Sequence, residues 1–286
     1  MNRNIHTFIG CDKEYKDSNI VIFGAPFDST TSYRPGTRFA SGAIRNESYG
    51  IETYSPYQDK DLADIHVFDG GDLELPFGNP RRALDEIESY ATGILADEKT
   101  PFMIGGEHLV SLATIKAAFD KYPDLHVIHF DAHADLREDY LGETLSHASV
   151  MRRCHDFLGD GRIFQFGIRS GDREEFYWAK DHVRMQKFNF NGLDEVIKEL
   201  EGKPVYLTID LDVLDPSEFP GTGTPEAGGV RFLELLSAVT SLSGLHIVAL
   251  DMNELSPLYD QSGASTALAC KLLREILLVI APEYKK

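Results

Sequence analysis

A chain of 286 residues that is 42% hydrophobic can bury a large core, and the expectation is one domain spanning residues 1–286. Its 28 Lys and Arg face 46 Asp and Glu, and the formal net charge of −18 argues against nucleic acid or an anionic membrane as partner and favours a small cationic one. Cys11, Cys154 and Cys270 are widely spaced with no Cys-x-x-Cys pair, as in reduced thiols. Residues 1–11 lack the apolar core of a signal peptide and the apolar run 276–281 is too short to span a bilayer, so a cytoplasmic location is expected.

In chain order, short apolar runs predict strands at 19–23, 65–68, 102–104, 127–130, 163–167, 183–188, 205–209 and 246–250. Between them, periodic segments predict helices at 40–47, 81–95, 109–119, 173–180, 193–200, 232–242 and 264–279. Strands without polar alternation, separated by helices, imply an α/β fold with a mostly parallel sheet covered on both faces. In such sheets ligands bind beyond the carboxyl ends of the strands. Two loops, 136–146 and 214–229, are long enough to wall a pocket there.

Four of the predicted strands run into metal-ligating side chains, in stretches 101–108, 127–135, 205–212 and 246–254. Asp131, His133 and Asp135 stand at i, i+2 and i+4, and an extended backbone would turn all three toward one side. Asp210 and Asp212 repeat the spacing, and His108 closes the first stretch. Four carboxylates and two imidazoles exceed one ordinary site. Their oxygen and nitrogen donors, without thiolate, suit manganese, iron, cobalt or zinc. Two divalent ions sharing one activated water follow from that count.

Gly105-Gly106-Glu107-His108, Asp131-Ala132-His133-Ala134-Asp135, Asp210-Leu211-Asp212 with Asp215-Pro216, and the 221–229 loop occur in one order. Together they resemble the ureohydrolases, the arginase and agmatinase family. Residues 23–28 with Arg34-Pro35-Gly36, and Asp251-Met252-Asn253-Glu254, extend the resemblance over nearly the whole chain. It implies a three-layer α/β/α domain, two Mn2+ per chain, hydrolysis of a guanidino group to urea and an amine, and a homo-oligomer, trimer or hexamer. His108, Asp131, Asp135 and Asp210 would hold one ion, and His133, Asp131, Asp210 and Asp212 the other. The resemblance also implies that Asp135 transfers a proton, that His147 shuttles one to the leaving amine, and that Glu254 pairs with the guanidinium.

Around this set, Thr222 and Thr224 either line the guanidinium pocket or serve turn chemistry, and Glu107 either backs a ligand or points to solvent. His126 and His129, without a ligand partner, read as structural, and Asp28, Asp69 and Asp72 as turn residues. The charged loop 136–143 departs from the Asn/Thr/Ser-rich arginase pattern and looks like that of bacterial agmatinases. Agmatine is then the expected substrate, its distal ammonium met by Glu138, Asp139 or Glu143. Arg137 weighs the other way, since it could bind the carboxylate of guanidinobutyrate or formiminoglutamate. A metal-binding homologue without catalysis and a deacetylase-like amidohydrolase are the remaining alternatives.

Overall fold

The computed structural model describes residues 6–281, so the outermost parts of the 1–286 span and of the 1–11 stretch lie outside the described residues. Among the described residues ten strands form in chain order: β1 (Ile20–Ala25), β2 (Tyr54–Ser55), β3 (Lys60–Asp61), β4 (Val67–Asp72), β5 (Thr100–Gly105), β6 (His126–Phe130), β7 (Ile163–Ile168), β8 (Arg184–Lys187), β9 (Pro204–Asp210) and β10 (His246–Asn253). Eight of them build one sheet in the order β4-β1-β5-β10-β9-β6-β7-β8. Every pairing within it is parallel. β2 and β3 form a separate antiparallel pair that the sequence pattern does not announce.

Eight helices among the described residues cover the sheet: α1 (Ala40–Glu47), α2 (Pro80–Ala96), α3 (Ser111–Lys121), α4 (Val150–Leu158), α5 (Arg173–His182), α6 (Leu193–Glu199), α7 (Phe232–Ser241) and α8 (Ala264–Ile280). Because strand side chains alternate between faces, β1 sends Ile20 and Ile22 into one core and Val21 and Phe23 into another. The first core holds side chains of α1, α6, α7 and α8, the second those of α2, α3, α4 and α5. The result is the expected three-layer α/β/α arrangement.

Local chemistry sets the helix starts. Asn79 accepts the Arg82 N–H ahead of Pro80, and Asp172 and Glu175 each accept the other's N–H at the start of α5. Residues 150–158 carry no predicted element, yet α4 forms there. Its apolar residues Val150, Met151, Cys154 and Leu158 share one face of a short helix otherwise rich in charge, and those charges hide the period.

Gly106 lets two segments touch beside the site. A Cβ there would fall 2.0 Å from the Phe27 carbonyl oxygen. That carbonyl accepts the Glu107 N–H at 2.8 Å, which locks the end of β5 to the segment after β1.

Candidate metal centre and substrate pocket

The carboxyl ends of β5, β10, β9 and β6 lie side by side, and His108, Glu254, Asp210 and Asp131 stand at or just beyond them. The pleat does not gather these groups, contrary to the spacing argument. β6 stops at Phe130, and Asp135 has a left-handed backbone at φ 54°. Asp212 sits in a 3-10 turn, its N–H donating to Asp210 Oδ1 at 2.8 Å. The side chains converge because irregular backbone folds them back over the strand ends, held by hydrogen bonds such as His133 N–H to Asp131 Oδ1 at 2.5 Å.

Two nodes result. His108 Nδ1 lies 3.0 Å from Asp131 Oδ2, 3.0 Å from Asp135 Oδ2 and 3.5 Å from Asp210 Oδ2. His133 Nδ1 lies 3.0 Å from Asp212 Oδ2 and 3.6 Å from Asp131 Oδ1. Asp131 thus turns one oxygen to each node.

These groups fit a pair of divalent cations. His108 Nε2 is 2.8 Å from the Thr208 hydroxyl, whose single proton goes to Asp251 Oδ1 at 2.6 Å. Thr208 can therefore only accept from His108 Nε2–H, which leaves Nδ1 as the nitrogen turned to the carboxylates and, once deprotonated, the one available to a cation. That nitrogen is buried with no hydrogen-bond partner although carboxylate oxygens crowd it. An octahedral ion with bonds of about 2.1 Å spaces adjacent donor atoms by about 3 Å, which matches this separation. Burial, then Asp131, pushes Asp135 up to about 7. Burial, with Asp212 as the leading neighbouring charge, also raises Asp210 and Glu254 well above the carboxylate range. Cations among these carboxylates would relieve their repulsion.

Neighbouring residues hold the nodes in place. His129, expected to be structural and without a ligand partner, is fully buried with Nε2 2.7 Å from Asp131 Oδ2 and Nδ1 3.0 Å from Gln165 Nε2. His126 packs against Phe164, away from the centre. Asp251 accepts from Thr208, Tyr206 and Asn253, so it anchors the hydroxyl behind His108. Glu107 does not face solvent. Its buried carboxylate accepts the Thr30 N–H, Thr30 Oγ1 and Thr31 Oγ1, and burial raises it to about 7. Asp69 and Asp72 do more than turn the chain, since both pair with the buried Arg45, and Asp28 pairs with Arg38. Thr208 and Gln165 leave one signal in the sequence: each is a lone polar residue in an apolar strand.

His147 opens a 3-10 turn capped by Ser146. Its N–H donates to Thr30 Oγ1 at 3.2 Å, and its Nε2 lies 3.1 Å from Ser32 Oγ. Burial lowers it to about 4, so the ring is neutral at pH 7. Glu254, left-handed at φ 65°, accepts the His108 N–H at 2.8 Å. His147 and Glu254 face a cavity of about 270 Å3 together with His108, His133, Asp135 and Asp210. Thr224 joins this wall, its hydroxyl 3.3 Å from Asp212 Oδ2, whereas Thr222 is buried with its hydroxyl unpaired.

The tail-binding assignment needs correcting. Glu138 and Asp139 do not line the cavity: Glu138 pairs with Arg152 and Arg153, and Asp139 accepts the Gly142 N–H. Glu143 shares backbone hydrogen bonds with Tyr140 and is likewise outside the wall. The residues that do line it are Arg137, Tyr140, Asp172 and Glu175. Arg137 Nη1 lies 3.1 Å from Asp172 Oδ2, its Nε is 3.7 Å from Glu175 Oε2, and its guanidinium covers the Tyr140 ring. The acidic wall comes from the start of α5, which no loop reading could supply.

A His/Asp cluster at the carboxyl ends of a parallel α/β/α sheet, beside a carboxylate-lined cavity, defines a hydrolase of the ureohydrolase type. The chain belongs to the arginase family, whose model matches residues 18–279. It is 50% identical to the agmatinase of Bacillus subtilis over 275 residues, 95% of each chain. A Clostridium difficile crystal structure superposes with a TM-score of 0.91 at 51% identity, covering 94% of this chain and 99% of that one. The agmatine ureohydrolase of Thermoplasma volcanium superposes with a TM-score of 0.88 at 34% identity, covering 97% and 95%. Among the described residues no helix is long and apolar enough to cross a membrane.

Proposed function

We propose that this enzyme hydrolyses agmatine to urea and putrescine at a binuclear manganese centre, as a one-domain cytoplasmic homo-oligomer. His108, Asp131, Asp135 and Asp210 would hold one ion, and His133, Asp131, Asp210 and Asp212 the other. The observation that carries the reading is the pair of imidazole nodes sharing Asp131 beneath a cavity lined by Glu254. The 50% identity to the Bacillus subtilis agmatinase supports the substrate. The donor set of carboxylate and imidazole without thiolate suits manganese.

When bound, the two ions supply Lewis acidity and an activated water. Glu254 offers its carboxylate to the planar guanidinium, which can be met by two parallel hydrogen bonds. Asp135, whose carboxylate lines the cavity beside His108, would take up the proton released from the attacking water. His147, neutral at pH 7, takes up a proton at Nε2 and delivers it to the leaving amine nitrogen, with Ser32 fixing the ring. Thr224 steadies Asp212 and closes the wall beside the guanidinium.

At the other end of the cavity Asp172 and Glu175 meet the distal ammonium. Arg137 is the observation that favours a carboxylate tail, but its guanidinium is engaged by Asp172 and Glu175. The deciding experiment is urea release by manganese-loaded enzyme from agmatine, arginine and guanidinobutyrate. Agmatine should lead by kcat/KM. A preference for guanidinobutyrate that Arg137→Ala abolishes would replace this reading.

A further inference from the structure

Away from the cavity, a second group of ligating side chains meets where α4 and α5 end. His155 lies in the last turn of α4, His182 closes α5, and Asp160 sits in the turn that follows α4. Asp160 Oδ1 is 2.8 Å from His155 Nε2 and 2.6 Å from His182 Nδ1.

The backbone builds this meeting. The Gly159 N–H donates to the His155 carbonyl and the Gly161 N–H to the His182 carbonyl, both at 2.9 Å, so the turn is tied to the two histidines it serves. Both glycines are left-handed, at φ 81° and 72°, a conformation that holds Asp160 between them at little cost. Trp178, one turn before His182, stacks on that ring at 4.2 Å and meets His155 edge-on at 4.7 Å. One indole therefore fixes the rotation of both imidazoles.

Two imidazole nitrogens from different helices and one carboxylate oxygen, all within 4.8 Å of one another, form a three-donor set. Without a cation both rings must spend a proton on the same oxygen. A single divalent ion would replace those two protons. The carbonyl-rich ends of two helices add negative potential at the same point. Arg152 is the opposing charge, over Trp178 at 4.1 Å, and Glu138 pairs with it at 2.5 Å. Asp160 is 65% exposed, which leaves room for water to complete the coordination. Two nitrogens and one oxygen suit zinc, cobalt, nickel or copper better than the harder manganese or magnesium.

We propose that His155, Asp160 and His182 form a second metal site, separate from the catalytic centre, which takes one borderline divalent ion and clamps the end of α4 to the end of α5. Trp178 is the only tryptophan in the chain, so its fluorescence reports this corner of the molecule alone. The test is a Ni2+ titration of manganese-loaded enzyme, following tryptophan emission and metal content per chain. The expected result is saturable quenching with one nickel bound while manganese is retained. Asp160→Ala, on an exposed turn, should raise the quenching midpoint at least tenfold, and His182→Gln should do the same, both without loss of urea release. A nickel-soaked crystal should show an anomalous peak between the three donor atoms. Absent or non-saturable quenching, a midpoint unmoved in Asp160→Ala, or quenching that tracks manganese loss would overturn the proposal and leave the triad a hydrogen-bonded clamp.

Discussion

At the floor of the pocket His108, Asp131, Asp210 and Glu254 stand at the ends of four adjacent strands and are no more than 5% exposed. At its outer wall Arg137 and Asp172 are 32% and 38% exposed and come from a loop and a helix start. The floor is held by neighbours that each have one geometry, such as Thr208 between His108 and Asp251. The wall is held by ion pairs in contact with water, which are individually weak. Reaction chemistry and substrate choice therefore rest on parts of different stiffness, and substitutions should separate them.

The largest effect is expected at the group shared by both nodes. Asp131→Asn should reduce urea release below detection and lower bound manganese from two per chain. Full metal content with normal turnover would remove Asp131 from the floor. His147→Ala should leave metal content intact and lower kcat by roughly 10²–10⁴-fold. Because burial holds His147 at about 4, its neutral form persists down to that pH, so an acid-side fall in rate near 6 must come from other groups. A pH profile of the wild type alongside His147→Ala measures this.

Thr208→Val tests the hydroxyl behind His108. With Nε2–H no longer bound, manganese affinity should fall about 10–100-fold, while a wall residue changed alike would not alter it. Equilibrium dialysis distinguishes the two. At the wall, Asp172→Asn with Glu175→Gln should raise the KM for agmatine several-fold and change kcat little, the signature of contacts equal in ground and transition states. Glu138→Gln, outside the cavity, should leave both constants unchanged.

The smallest effect concerns the 214–229 loop. Asp215 accepts from Ser217 Oγ and from the N–H groups of Ser217, Gly228 and Gly229, and these bonds push it down to about 2. A carboxylate lowered on folding stabilises above its unfolded pKa of about 3.9 and loses that stabilisation as pH falls through the folded value. Asp215→Asn should then cost about 1 kcal/mol at pH 7, discounted for its solvent contact, and only a small part of that near pH 2. Chemical denaturation at both pH values checks the sign.

The same contrast explains what could be read from the residues. Among the described residues the eight sheet strands and seven of the eight helices follow apolar runs and periods, and the six candidate ligands stand in short motifs at strand ends. Strand alternation does not cause their convergence all the same, because Asp131, His133 and Asp135 follow the end of β6 and meet through irregular backbone that is left-handed at Asp135. The wall was misread because Glu138 and Asp139 are near Asp135 in sequence, while Asp172 and Glu175 reach the cavity only through the packing of α5. His129 looked inert because its partner Asp131 is two residues away on the same strand end, a contact that depends on side-chain rotation. Proximity along the chain is a good guide where backbone carries the geometry and a poor one where side chains from separate elements pair.

The place of β10 in the sheet has a bearing on how the enzyme is made. It begins at His246 yet lies between β5 and β9, so β4, β1 and β5 stand on one side of it and β9, β6, β7 and β8 on the other. When residues 1–245 have been synthesised, the strand that lies between β5 and β9 in the finished sheet is still missing. His108 then belongs to one half and Asp131, His133, Asp210 and Asp212 to the other, so the His133 node has all its residues in one half while the His108 node cannot be completed until the stretch from residue 246 onward emerges. Contacts of such long sequence separation form late. Completion of the His108 node accordingly follows translation, and a chain stopped before β10 lacks Glu254 as well as the strand that brings the two halves together.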